Sequence, residues 1–138
     1  MSVRRSGRFC RCLALLAGLA TTAAPAADAL VVLTVDVEYL ESGMPLYAAI
    51  ATQAERAQQG VESTRRSEIE LARDLRQSEV LTALPEAISE VALAANADLV
   101  LDREVAQRVG ASAADDVTEE VERILVSQFS QLPLEPDT

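Results

Sequence analysis

Hydrophobic and polar positions divide the first part of the chain into short segments. Residues 30–35, Leu-Val-Val-Leu-Thr-Val, form a β-branched apolar run that ends at Asp36. Such a run predicts a buried strand rather than a helix. One helical turn is predicted over residues 37–42. Gly43 then interrupts the chain, and Pro45 suits the first position of a new helix.

The segment after Pro45 has the spacing of a helical hairpin. Its first apolar stripe recurs at the intervals of a coiled-coil seam and comprises Leu46, Ile50, Ala54, Ala57 and Val61. Gly60 weakens this helix, and Ser67-Glu68-Ile69-Glu70 matches a capping box, which places the hairpin tip over residues 60–67. A single unbroken helix over residues 45–84 is the alternative.

A second helix is predicted over residues 68–95, with a kink at Pro85. Its predicted apolar positions are Ile69, Leu71, Leu75, Leu81, Leu84, Ile88 and Val91. Asn96 suits the left-handed residue that follows a helix end. Residues 97–102 then have the pattern of a second strand, and residues 105–109 that of a third strand at a sheet edge.

The last segment predicts a C-terminal helix. Residues 115–120, Asp-Asp-Val-Thr-Glu-Glu, offer N-cap candidates and acids for a first turn, where they suit the helix dipole. The predicted buried face comprises Val121, Ile124, Leu125 and Phe129. Residues 132–138, with two prolines, are predicted to be a disordered tail. The fold class is therefore α+β, with short strands, a helical hairpin and a C-terminal helix.

The N-terminus has the pattern of a cleavable signal peptide. Arg4, Arg5, Arg8 and Arg11 precede a small apolar run over residues 13–24, which is too short to span a membrane. Small residues at 24–27 predict cleavage after Ala26 or Ala27. We therefore assign residues 1–26 to the signal and expect export to the periplasm. The alternative is an N-terminal helix that stays in the fold.

Composition restricts the chemistry of the predicted mature chain. The whole chain lacks histidine, lysine and tryptophan, and both cysteines, Cys10 and Cys12, lie in the predicted signal. Thiol, Schiff-base and histidine catalysis and the usual zinc sites are thus excluded, and we expect no metal or cofactor. A hydrolase with two carboxylates is the enzyme class that remains, and we predict that the protein is not an enzyme.

Charge narrows the choice of partners. Removal of the signal leaves eight arginines against 22 acids, a net charge of −14. Such a surface repels nucleic acids and anionic membranes.

Three stretches resemble the Skp/OmpH family of periplasmic chaperones. They are Leu33-Thr34-Val35-Asp36 with Tyr39-Leu40 and Ser42, then Leu84-Pro85-Glu86-Ala87-Ile88 through Ala97-Asp98-Leu99-Val100-Leu101-Asp102-Arg103, and finally Asp116-Val117-Thr118. The resemblance implies a homotrimer whose strands form a common body, with helical-hairpin arms around a cavity that holds unfolded outer-membrane proteins. It implies a body of residues 27–44 and 85–131 and an arm of residues 45–84.

The resemblance also implies a function without nucleotide hydrolysis. We expect a holdase chaperone for unfolded outer-membrane or envelope proteins. Strands this short bury little in one subunit, so we expect three subunits to bury Val32, Leu33, Val35, Leu99, Val100 and Leu101 together. The residues that we expect to touch clients on the arm are Ile50, Val61, Ile69 and Leu75, and ordinary hairpin core is their alternative role.

Two departures from the family favour a second hypothesis. The arm is short and the chain is strongly acidic, whereas well-known members are basic. A family member that serves as an envelope scaffold or assembly partner is therefore the alternative function. Asp102 with Arg103 is interpreted as a solvated strand end. The acidic residues at 115–120 lack the ligand pattern of a calcium loop.

Overall fold

The computed structural model describes residues 29–134. Within them the elements are β1 (Val32–Val35), a π-helical turn (Tyr39–Gly43), α1 (Pro45–Ala57), α2 (Ser63–Ala94), β2 (Leu99–Asp102), α3 (Arg103–Arg108), β3 (Asp115–Asp116) and α4 (Thr118–Phe129). The predicted mixture of helices with a small sheet is confirmed. The predicted signal peptide and residues 135–138 of the predicted tail lie outside the described residues.

The sheet is parallel, and β1 is its central strand. The order is β2-β1-β3, with Val32 paired to Leu99 and Leu33 paired to Asp115. Because side chains alternate along a strand, Leu33 and Val35 point into the main core while Thr34 points to the opposite face. Helix α3 packs on that opposite face, where Thr34 is buried.

The main core lies between the sheet and the helices α1, α2 and α4. Its members are Leu33, Val35, Leu40, Met44, Leu46, Ile50, Val80, Leu84, Ala87, Val91, Val117, Val121 and Leu125. All of them lie between positions 33 and 125, so a chain of residues 27–138 contains this complete core.

The hairpin prediction is confirmed in outline. Pro45 is the first residue of α1, and Leu46, Ile50 and Ala54 are buried along its inner face. Gly60 has a φ of +74°, a left-handed conformation that favours glycine. Because this φ is not helical, α1 cannot continue through Gly60. The alternative of one unbroken helix over residues 45–84 is therefore wrong.

The predicted capping box is wrong. Helix α2 begins at Ser63, and Glu62 is its N-cap residue. Ser67 lies inside the helix, where its hydroxyl donates to the carbonyl of Ser63. An ion pair between Arg65 and Glu68 stabilises this first turn, so the helix starts before the Ser-x-x-Glu pattern.

Helix α2 continues on both sides of Pro85, which lies inside it. Asn96 follows its C-terminal end with a φ of +49°, as predicted.

The predicted third strand over residues 105–109 is wrong. Residues 103–108 form α3, because the side chain of Asp102 caps this helix by accepting from the backbone N–H of Glu104. Glu104 also pairs with Arg108 one turn later. Val105 and Val109 are thus four residues apart on a helical segment, a spacing that fits helix as well as strand. The third strand is instead Asp115–Asp116.

Candidate functional site

The carboxyl ends of the three strands meet in one network of charged side chains. Arg103, directly after β2, donates to Asp36, which follows β1, and to Asp116 in β3. The Nη2 atom of Arg103 lies 2.6 Å from Oδ2 of Asp116. Asp102 accepts from the backbone N–H of Val37 and so connects β2 to the chain after β1.

Thr118 completes this network from the start of α4. Its hydroxyl donates to Oδ1 of Asp116 at 2.6 Å and accepts from the backbone N–H of Asp36 at 2.9 Å. Partial burial raises the pKa of Asp116, but the hydrogen bonds from Thr118 and Arg103 outweigh that effect and hold its pKa below its usual value. The pKa of Arg103 is raised by its hydrogen bond to Asp116.

This network joins strand ends through carboxylates that accept hydrogen bonds. Asp36, Asp102 and Asp116 each accept hydrogen bonds that fix the backbone or a neighbouring helix. Within residues 29–134, no group of three or more carboxylates is arranged to hold a metal ion. The Asp102–Arg103 pair, interpreted from the sequence as a solvated strand end, thus has a structural role in this network.

The four predicted client-contact residues do not share one surface. Ile50 and Ile69 are 0% and 1% exposed and belong to the interior of the hairpin. For these two, burial favours the alternative role as hairpin core, and contact with a client stays a prediction. Val61 is half-buried near the tip, and Leu75 is 50% exposed.

Helix α4 packs on α2, and the residues directly after α4 contact α1. The amide of Gln53 on α1 donates to the carbonyl of Ser130 and accepts from the backbone N–H of Leu132. On α2, the guanidinium of Arg76 lies 5.5 Å from the ring centre of Phe129. Leu132, where the sequence predicts the tail to begin, packs half-buried on the core. At about 1.5 Å per residue, α1 extends only about 6 Å beyond Gln53.

A different surface of α2 carries exposed, uncharged side chains, among them three leucines. We call it the outer face of α2: nine exposed positions that recur every three or four residues and lie opposite the buried side of the helix. They are Thr64, Ser67, Leu71, Leu75, Ser78, Thr82, Pro85, Ser89 and Leu93. None of the nine is charged. Leu71 and Leu93 are 70% and 78% exposed, and Leu75 is 50% exposed.

The sequence gives Leu71, Leu75 and Leu81 only as apolar positions of the second helix, without a face. All three are exposed, while Val80 and Ala87 occupy the buried side. A series of uncharged positions recurs at helical spacing along α2. This series would have distinguished the outer face from the buried face.

The residues predicted for a shared trimer body are covered unequally within one chain. Leu33 and Val35 are buried by helices of their own chain, and Val32, Val100 and Leu101 are half-buried. Leu99 is 46% exposed. It begins β2, which is an edge strand of the sheet.

No family model matches the chain, and no match was found among curated proteins or solved structures. Among the helices of residues 29–134, none combines the length and the apolar character needed to cross a membrane.

Proposed function

We propose that the mature chain is a periplasmic holdase that binds unfolded outer-membrane or envelope proteins without nucleotide hydrolysis, through the outer face of α2. The observation that carries this proposal is the uncharged surface that exposes Leu71, Leu75 and Leu93. An unfolded client offers apolar side chains, and each leucine that such contacts bury contributes about 1.5–3 kcal/mol at most. Several contacts of this size give weak binding with low specificity, which suits a holdase.

Self-association is the second part of this proposal. An edge strand presents unpaired backbone groups that pair readily with another strand. Strand β2 is such an edge strand, and its first residue, Leu99, is exposed. We expect a homotrimer, as the resemblance to the Skp/OmpH family implies, and light scattering on residues 27–138 tests it. A mass close to three times that of the monomer is expected, and a monomer at all concentrations would contradict it.

The test of holdase function is suppression of aggregation. An unfolded β-barrel outer-membrane protein is diluted from urea in the presence of a stoichiometric amount of residues 27–138, and turbidity is followed. We expect suppression by the unchanged chain and loss of it in the double variant Leu71→Ser/Leu75→Ser. Val109→Ser is the matched control, because Val109 is 65% exposed and lies outside α2. Equal suppression by both variants would refute the assignment of the outer face.

The second candidate is a scaffold or assembly partner in the envelope. It is favoured by the contacts of the hairpin with Phe129 and Ser130, because a hairpin held by such contacts presents a fixed surface rather than a flexible arm. A stable oligomer that leaves aggregation of the barrel protein unchanged would support the scaffold over the holdase.

A further inference from the structure

Acidic side chains border the outer face of α2 on both sides. Glu79 and Glu86 each lie three or four residues from Thr82, and Glu90 lies three residues before Leu93, so they line one border. Asp74, three residues after Leu71, lies on the other border. A partner that covers the exposed leucines must therefore also approach carboxylates.

The arginines of α2 neutralise only its N-terminal half. Arg65, Arg73 and Arg76 form ion pairs with Glu68, Asp74 and Glu79. After Arg76, α2 has no basic residue, and Glu86 and Glu90 are exposed without an ion pair among the described residues. The C-terminal half of the outer face is therefore uncharged in the middle and negative at its border.

We propose that the outer face of α2 selects a cationic amphipathic protein segment, with an apolar residue at every third or fourth position and lysine or arginine beside it. This proposal rests on the proposed function and names the class of client. Its apolar residues would cover Leu71, Leu75 and Leu93, and its cations would pair with Glu86 and Glu90. Such charge complementarity favours a cationic partner over a neutral or anionic one.

A second copy of the chain does not fit this surface. Two outer faces in contact would bring acidic borders together, and the predicted mature chain carries a net charge of −14. Juxtaposed like charges oppose association.

The size of the face fits transient binding. From Thr64 to Leu93 the helix is about 45 Å long at about 1.5 Å per residue. A strip about 10 Å wide would bury roughly 900 Å² over both partners, which lies in the range of weak, short-lived complexes. A holdase needs such release, because the client must leave in order to fold.

The test uses three synthetic helical peptides with the same leucine pattern and with lysine, glutamine or glutamate at the flanking positions. Each carries a fluorophore, and binding to residues 27–138 is followed by anisotropy at low and at physiological salt. We expect the lysine peptide to bind at least about tenfold tighter than the glutamine peptide at low salt, with the difference shrinking as salt rises. We expect the glutamate peptide to bind weakest.

Variants test whether the border of α2 is responsible. Glu86→Gln/Glu90→Gln should weaken binding of the lysine peptide about three- to tenfold and leave the glutamine peptide unchanged. The control Glu119→Gln/Glu120→Gln removes the same charge from exposed positions on α4, and it should have little effect. An equal loss in both double variants would overturn the proposal, because net charge alone would then explain the preference.

The outcomes separate this proposal from the proposed function. Equal affinity for all three peptides, together with suppression of aggregation, would overturn the selection of cationic segments and leave the holdase standing. Absence of peptide binding together with absence of suppression would overturn both.

Discussion

Ile69 and Leu71 lie two residues apart on α2. Ile69→Ala should lower stability and keep client binding, whereas Leu71→Ala should keep stability and lose client binding. Ile69 is 1% exposed, and Ile69→Ala removes three carbon atoms from the hairpin interior. At about 0.8 kcal/mol for each buried methylene, the lost transfer free energy is about 2.4 kcal/mol. A small residual cavity adds to this, so we expect the free energy of unfolding to fall by about 3 kcal/mol.

The same deletion at Leu71 should hardly change stability. Leu71 is 70% exposed, so only about a third of the transfer free energy, about 0.7 kcal/mol, is at stake. Alanine has a slightly higher helix propensity than leucine, which offsets part of this loss. We expect a net change within about 0.5 kcal/mol.

Urea unfolding followed by far-ultraviolet circular dichroism measures both changes. With a slope of about 1.5 kcal/mol per molar urea for a domain of this size, Ile69→Ala should lower the unfolding midpoint by about 2 M and Leu71→Ala by less than about 0.4 M. In the aggregation assay at low temperature, where both variants are folded, Leu71→Ala should lose suppression and Ile69→Ala should keep it. A folded Ile69→Ala chain that fails to suppress aggregation, beside an active Leu71→Ala chain, would refute the assignment of the client surface to the outer face.

Three further changes test the strand-end network and the hairpin turn. Arg103→Gln removes the ion pairs to both Asp36 and Asp116 and should lower Tm. Arg108→Gln breaks a single, more exposed pair and should lower Tm less, and equal effects would contradict the role of the network. Because the pKa of Asp116 lies below its usual 3.8 in the folded chain, its ionised form stabilises the fold above about pH 4, and this contribution is lost as the pH falls through the lowered pKa. Acid titration of unfolding should therefore show a shallower loss of stability in Asp116→Asn than in the unchanged chain, and identical slopes would count against this reasoning. Gly60→Ala should cost about 1 kcal/mol in thermal unfolding because of the φ of +74°, with Gly60→Asn affected less, and a neutral alanine would show that the turn relaxes.

The sequence predicts those elements whose signals are local. Pro45 at the first helical position and Asn96 after the end of α2 both lie where their backbone preferences place them. The signal for the strand before Asp36 is also local, because a short β-branched apolar run is typical of a buried strand.

The errors arise where a short pattern fits two structures. Val105 and Val109 fit a strand edge by composition and a helix by spacing, and the hydrogen bond from Glu104 to the side chain of Asp102 decides for helix. The pattern that begins at Ser67 has the composition of a capping box. Because α2 begins at Ser63, the backbone amides near Ser67 lie inside the helix and need no cap. Contacts distant in the chain decide such cases, and a local pattern does not contain them.

The network of Asp36, Arg103, Asp116 and Thr118 is the clearest example of a distant contact. Arg103 contacts Asp116 and Asp36 across 13 and 67 residues of chain, and Thr118 contacts Asp36 across 82 residues. In the sequence, Asp102-Arg103 is indistinguishable from a solvated pair. Parallel pairing of three strands brings their ends together, and the order of the strands followed only from the structure.

The outer face of α2 has a further physical implication. Helix α2 buries Val80, Leu84 and Val91 in the core on one side. Its opposite side faces water, where charged and polar residues are usual. In α2 the charges instead lie along the borders, and uncharged side chains, three of them leucines, occupy the middle. The fold alone does not require this arrangement, whereas a helix that packs on its own core and binds a second apolar partner does require two uncharged sides. Acidic borders of this kind oppose contact between the outer faces of two copies and would favour a cationic partner there.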